Sequence, residues 1–326
     1  MRIEIGSEFW DVPVTSINNN LFNEDTAWFL SGRSALRAII QDIKKERNAS
    51  TVAIPSWCCD SMISPFLIEK LKVFFYPMFA PDDVKREITS KCDIVLVTDY
   101  FGYQSDTEFS DGIVIRDLTH SVFNNNHRDA SYYFGSLRKW CGIYTGGFAV
   151  GIDGVENTSD EYIALRKEAM QKKKEYISGK SSNKEYIDIF NKAEELLDSC
   201  LIAGAADRDI DIANHVDVEL IVNRRRGNAA ILLDAFADIA VFKEMKQYDC
   251  PLFVPIRVDN RDKLRRYLIE HEIYCPVHWP LTDLHAINES DMIIYQEELS
   301  LVCDQRYSEE DMYRVVEEVK RGLSLC

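Results

Sequence analysis

Apolar and polar positions alternate with two different periods along this chain. In the first half, short apolar runs "TVAIP" (51–55), "KVFFYP" (72–77), "DIVLVTD" (93–99) and "GIVIRD" (112–117) read as strands. Between them "CDSMISPFLIEK" (59–70) and "PDDVKREITS" (81–90) carry helical spacing, the second opening on a proline. Strands separated by helices predict crossover units and a mostly parallel central sheet flanked by helices. Ligands in such sheets sit beyond the carboxyl ends of the strands. That rule singles out Pro55-Ser56-Trp57, Asp99-Tyr100-Phe101-Gly102 and Asp117.

The pattern changes after residue 158. Lys, Glu, Ala and Leu dominate 159–200, broken by "SGKSSN" (178–183), which predicts two helices joined by a loop. A long helix is expected over roughly 214–245. The last 80 or so residues alternate again: "PLFVPIRV" as strand, "RDKLRRYLIEHE" as helix, "LSLV" as strand, and "SEEDMYRVVEEVKRGL" as an amphipathic helix capped by Ser308. The expected organisation is a large α/β domain over 1–245, with an N-terminal arm and central helices, and a small C-terminal α+β domain over 246–326.

Composition narrows the possibilities. The chain has 326 residues, 46% of them hydrophobic, enough for a sizeable core. A formal charge of -16 disfavours nucleic acid and anionic lipid as partners, so an anionic ligand would need a local positive cluster. Nine cysteines, an odd number with no zinc spacing, read as small buried hydrophobes in a reducing compartment, and no metal site is expected. No signal-peptide pattern opens "MRIEIGSEFW" and no apolar run spans a membrane, so a cytoplasmic, membrane-free protein is expected.

Five local features carry candidate chemistry. "SGRSALRAII" (31–40) starts a helix at Gly32, Arg33 and Ser34, whose unpaired N–H groups suit a phosphate; an ordinary Ser-capped helix would look the same. Asp117 ends a strand, where a buried carboxylate can hold a ring nitrogen protonated or simply cap the next turn. Lys139 follows Ser136 in "FGSLRKWCGIYTGG", beside Arg138 and Trp140. A lysine there is either a nucleophile toward a carbonyl or an ordinary solvated side chain. Trp57, Tyr100-Phe101 and His120 offer faces for a flat heteroaromatic ring, though each alone suits the core. "NRRRGN" (223–228) is a basic patch suited to phosphate or carboxylate, or else a solvated helix face. A phosphate cradle, an acid for a pyridine nitrogen, a stacking ring and an imine-forming lysine are together what pyridoxal 5'-phosphate (PLP) requires.

The order of these segments is familiar. "SGRSAL", "IPSWCC", "VTDYFGYQSD", "VIRDLTHSVF", "FGSLRKWCGIYTGG" and "HEIYCPVHWP" resemble the fold type I PLP-dependent aminotransferases of the DegT/StrS sugar-aminotransferase family, from about residue 31 to 280. Asp117 and Ser136-x-x-Lys139 are the most specific element. The resemblance implies a transaminase that moves an amino group, through a Lys139 Schiff base, from an amino-acid donor such as glutamate to a keto-sugar, nucleotide-linked in the family. It implies roles around the cofactor for Gly32, Arg33, Ser34, Trp57, Cys59, Asp117, His120, Ser136 and Lys139. Tyr100, Arg224, Asn228 and His278 are substrate candidates, and a homodimer with sites at the subunit boundary is implied, in which Asn223, Arg224 and Asn228 are the candidates for phosphate or substrate contacts to the partner's site. Three departures stand out. Arg116 replaces an acid, the usual stacking position aligns closer to Cys59 than to Trp57, and residues 161–223 lack the family's substrate-loop pattern. The alternative is a catalytically degraded PLP-binding relative acting as a regulatory or partner subunit.

Overall fold

The computed structural model describes residues 4–325 except 106–108, 110–111, 125–126 and 288. Asp106, at the end of one quoted motif, the first three residues and Cys326 therefore lie outside the described residues.

The fold follows the alternation of the sequence. Strands β1 (Ile5–Gly6) and β2 (Thr26–Phe29) lead into helix α1 (Gly32–Glu46). Then come β3 (Thr51–Pro55), α2 (Asp60–Ile68), β4 (Lys72–Tyr76), α3 (Asp82–Thr89), β5 (Ile94–Thr98), β6 (Ile113–Asp117), β7 (Tyr132–Ser136) and β8 (Gly147–Val150). Seven of these strands form one sheet in the order β2-β8-β7-β6-β5-β3-β4. The five from β7 to β4 are parallel, and β8 and β2 close the edge antiparallel. β5 and β6 are buried at every position, as expected of central strands covered on both faces. α1 packs Ala35, Leu36, Ile39, Ile40 and Ile43 against the sheet, one helical stripe.

Four expected strands and both early helices stand within two residues of their expected ends. β2, β7 and β8 are additions. They are short, and β7 "YYFGS" and β8 "GFAV" carry a glycine each, so neither shows a clean apolar period. What makes them strands is the ladder: Phe134 pairs with Asp117 on one side and Ala149 on the other. The glycine pair before β8 has a steric cause. Gly146 has φ +119, a region side chains rarely adopt, and a Cβ on Gly147 would stand 2.2 Å from the Ser31 carbonyl. β8 and the start of α1 thus touch backbone to backbone.

The middle of the chain forms a helical hairpin, α4 (Asp160–Ile177) and α5 (Tyr186–Leu196), where two helices were expected. Lys173, fully buried on α4, pairs with Glu4 and reaches the Tyr186 hydroxyl at 3.1 Å, tying the N-terminal arm to the hairpin. The helix expected over 214–245 is α7 (Val218–Phe236), shorter at both ends, and a separate helix, α6 (Asp207–His215), precedes it. Asp217 lies between them, accepting from the Leu220 N–H at 3.0 Å as the cap of α7.

The C-terminal part contains β9 (Phe253–Arg257), α8 (Arg261–Glu270), β10 (Ile273–Tyr274), α9 (Glu289–Glu297), β11 (Glu298–Val302) and α10 (Glu309–Leu325). β11 pairs antiparallel with β9, and β10 pairs with β1 from the arm. Its core of Val254, Ile256, Leu264, Leu268, Leu299, Leu301, Met312 and Val315 also takes Ile5 and the second half of α7, including Ala229 and Leu232. The Ser308 hydroxyl accepts from Asp311 N–H at 3.4 Å while the Asp311 carboxylate accepts from Ser308 N–H at 2.9 Å, a reciprocal cap for α10.

Candidate functional site

The carboxyl ends of β5, β6 and β7 meet the amino ends of α1 and α2. Between them lies a cavity of ≈ 90 Å³ lined by Gly32, Arg33, Cys59, Asp117, His120, Ser136, Lys139 and Trp279, among others. Seven of the nine expected cofactor residues share this one cavity.

Asp117 closes β6 and is buried. Burial pushes its carboxyl up to about 6, against a hydrogen bond from the Thr119 N–H at 2.8 Å that favours ionisation. Such a carboxyl is readily turned fully anionic by a cation placed opposite it. Two residues past its sheet partner Phe134 stands Ser136, buried, its hydroxyl making no hydrogen bond to the described residues. Lys139 lies in the single 3-10 turn after β7. It is exposed at the cavity mouth and makes no hydrogen bond or ion pair with the described residues. Its charge still reaches inward, opposing protonation of His120 and favouring ionisation of Asp117 and Cys59.

α1 supplies the cradle. Ser31 caps it: its hydroxyl accepts from Ser34 N–H and its carbonyl from Ala35 N–H. The N–H groups of Gly32 and Arg33, at the first two helical positions, have no intrahelical acceptor. The Arg33 guanidinium pairs with Asp198 at 3.1 Å and with Glu194, another residue of the cavity wall, at 3.5 Å. A helix start with two free donors and a nearby hydroxyl is an anion site.

The ring wall differs from the expected one. His120 is buried, held neutral by desolvation with its pKa pushed down to about 3, and its Nδ1 has no partner. Trp279 lies nearly parallel to it, centroids 5.5 Å apart at 24°. Cys59 completes the wall, its Sγ 2.9 Å from the Ser61 hydroxyl and its thiol raised by burial. Trp279 was missed in the sequence because it lies 140 residues beyond Lys139; its place beside His278 in "HWP" was the available signal.

Several of the expected site residues do not line this cavity. Trp57 is fully buried behind the cavity, stacked on Tyr100 at 4.9 Å, and its Nε1–H donates to the His278 carbonyl at 2.6 Å. Tyr100 spends its hydroxyl on the Trp57 carbonyl and lines no described cavity. Both brace the 278–279 segment rather than face a ligand. Ser34 donates to the Leu201 carbonyl at 2.6 Å and is likewise removed from the cavity. Asn228 is fully buried and donates to the Cys303, Asp304 and Tyr307 carbonyls, so it ties α7 to the start of α10. Asn223 and Arg224 are exposed on α7 and line no described cavity. Arg116, the departure beside Asp117, pairs with Asp99 at 2.6 Å inside the sheet. His278 stands in a second, larger cavity, its Nδ1 2.8 Å from the Ser300 hydroxyl.

The eight described cysteines are unpaired, no metal-binding cluster occurs among the described residues, and no described helix is long and apolar enough to cross a membrane.

The architecture matches solved structures. PseC of Helicobacter pylori, an aminotransferase involved in pseudoaminic acid biosynthesis, superposes with a TM-score of 0.65 at 13% identity, covering 98% of this chain and 100% of that chain. The PLP-form of Spr1654 from Streptococcus pneumoniae, assigned as a sugar aminotransferase, gives 0.62 at 14% identity over 92% of this chain and 87% of that one. The sugar aminotransferase CalS13 from Micromonospora echinospora gives 0.60 at 15%, over 92% and 88%. No family model and no curated protein matches the sequence. The chain therefore has the fold of these sugar aminotransferases, the fold that the motif resemblance implied.

Proposed function

We propose that this protein is a PLP-dependent aminotransferase that takes an amino group from an amino-acid donor, glutamate by resemblance, and gives it to a keto-sugar, nucleotide-linked by the same resemblance. The observation that carries the reading is the convergence of Asp117, Ser136, Lys139 and the two free N–H groups of α1 on one cavity. The residues fit the cofactor: a donor-rich helix start for its phosphate, an unpartnered serine hydroxyl beside it, and a carboxyl made hard to ionise by burial, which a ring N–H⁺ would relieve. When bound, PLP supplies an electrophilic carbon and an electron-withdrawing ring.

In this reading the amides of Gly32 and Arg33 and the Ser136 hydroxyl hold the phosphate. Asp117 would hold the cofactor's ring nitrogen protonated. Lys139 would anchor the cofactor, and its amine would move the donor's α-proton as base and then acid. Lys139 forms no ion pair with the described residues, which leaves that amine available for exchange. Trp279, His120 and Cys59 bound the ring. Residues 1–245 form the cofactor domain and 246–326 the small domain, within a cytoplasmic homodimer.

Purified protein incubated with PLP should show a visible absorbance band, and borohydride should fix the cofactor to Lys139 by mass spectrometry. Lys139→Ala should lose both, and glutamate should bleach the wild-type band. A protein that forms no adduct at Lys139 overturns the proposal. A coloured protein inert to every amino donor points instead to the degraded, partner-subunit relative.

A further inference from the structure

The cofactor cavity shares Arg138, Lys139 and Glu194 with a neighbour of ≈ 450 Å³, large enough for a small-molecule site. Its wall has an unusual charge for this chain. Six cations line it, Arg138, Lys139, Arg166, Arg225, Arg265 and Arg306, against three carboxylates, Glu8, Glu194 and Asp304, within a molecule of net charge -16.

The pairing of these groups leaves an imbalance in the least exposed part. Arg306 is satisfied by Asp304 at 2.8 Å, and Arg138 by Glu194. Arg225 on α7 is 0% exposed and forms no ion pair among the described residues, though its charge favours ionisation of the nearby Asp304. Its Nε donates to Gln305 and its Nη1 to the Pro251 and Leu252 carbonyls, while the ring of Trp140 lies 4.6 Å away and Nη2 has no partner. Arg166 on α4 is 3% exposed; it reaches Glu194 only at 3.8 Å and the Ile143 carbonyl at 3.4 Å, and its Nε has no partner. A buried guanidinium without a counter-charge is costly, and leaving its N–H groups unpaired adds to the cost. Arg166, whose one carboxylate is shared with Arg138, and Arg225, which has only the nearby Asp304 charge, each keep an N–H without a partner among the described residues on the same cavity wall, an arrangement that an anion would complete. The planar fork of arginine suits the two oxygens of a carboxylate or a phosphate.

We propose that this cavity is an anion-binding subsite in which Arg166 and Arg225 hold the carboxylate or phosphate end of a ligand whose reacting end meets Lys139. Its link to catalysis rests on the reading of Lys139 given above; the anion binding itself does not. The α4 hairpin, which departs from the family pattern in sequence, thereby contributes directly to ligand selection through Arg166.

The test uses anions that cannot react. Isothermal titration of the cofactor-loaded protein with glutarate, a dicarboxylate lacking an amine, and with UDP separates an amino-acid donor from a diphosphate-linked sugar as the source of the anion. At least one should bind, and binding should weaken as salt rises. Arg166→Gln should raise that Kd at least about tenfold, as expected for loss of a charge-assisted contact, with Arg166→Lys restoring part of it. The absorbance of bound PLP should be unchanged, so a failed subsite and a failed cofactor assignment give different results. If Arg166→Gln melts early, Arg225→Lys takes its place with the same expected loss. Wild-type protein that binds neither anion, or variants that bind as well as wild type, would refute the subsite.

Discussion

Replacing Asp117 by asparagine should stabilise the cofactor-free protein, and by an amount that depends on pH. The wild-type carboxyl moves from its ordinary 3.8 to about 6 on burial. Between those values the folded chain holds a proton that the unfolded chain has released. Unfolding is therefore favoured progressively as pH rises through this window, and the loss is complete above it. At about 1.36 kcal/mol per pH unit the full penalty is about 3 kcal/mol, of which roughly half is already present at pH 5. Asparagine is nearly isosteric, keeps an oxygen to accept the Thr119 N–H, and carries no charge to desolvate. The stability advantage of Asp117→Asn should thus grow by about 1.4 kcal/mol between pH 5 and pH 7.5. Urea unfolding of both PLP-free proteins at the two pH values measures this. Adding PLP should reverse the order, because a protonated ring nitrogen facing Asp117 stabilises the anion and has no such partner in the variant. An advantage for the variant that does not change with pH, or wild type the more stable at pH 7.5, would mean that Asp117 is not desolvated as described.

Other consequences are simpler to check. Gly147→Ala places a Cβ 2.2 Å from the Ser31 carbonyl, so it should destabilise the fold by several kcal/mol, seen as an early melt, and displace the start of α1. Gly32→Ala meets only ordinary contacts of 3.6 Å or more, so its melt should stay close to wild type while added bulk in the cradle weakens PLP binding about tenfold or more by spectral titration. Arg116→Met leaves the buried Asp99 carboxylate with only the His127 ring nitrogen at 3.3 Å and should cost about 3 kcal/mol in chemical denaturation, with little effect on where PLP attaches.

The sequence by itself determined the parallel half of the sheet, because β3, β5 and the first three residues of β6 are apolar runs that suit strands buried on both faces. It also determined the α4–α5 hairpin and β9, α8, β11 and α10, though not β10 or α9, and it singled out Asp117, Ser136 and Lys139, whose spacing along one stretch is local information. What it could not contain was direction and neighbourhood across long separations. β2, β7 and β8 became strands through pairing rather than periodicity, and the Asp217 cap rather than hydropathy set where α7 begins. The aromatic wall shows the same limit. Trp57 and Trp279 are equally suited to face a ring, and only the packing of β3's end against the 278–279 segment turned one into the core and the other into the cavity. Burial likewise gave three neighbouring arginines on α7 different environments: Arg224 is exposed, Arg225 is enclosed beside Trp140, and Arg226 bonds the carbonyls of Lys246 and Asp249. Residue type sets which interactions a side chain can make; the tertiary structure decides which of them is available, because solvent and partners are distributed in space and not along the chain.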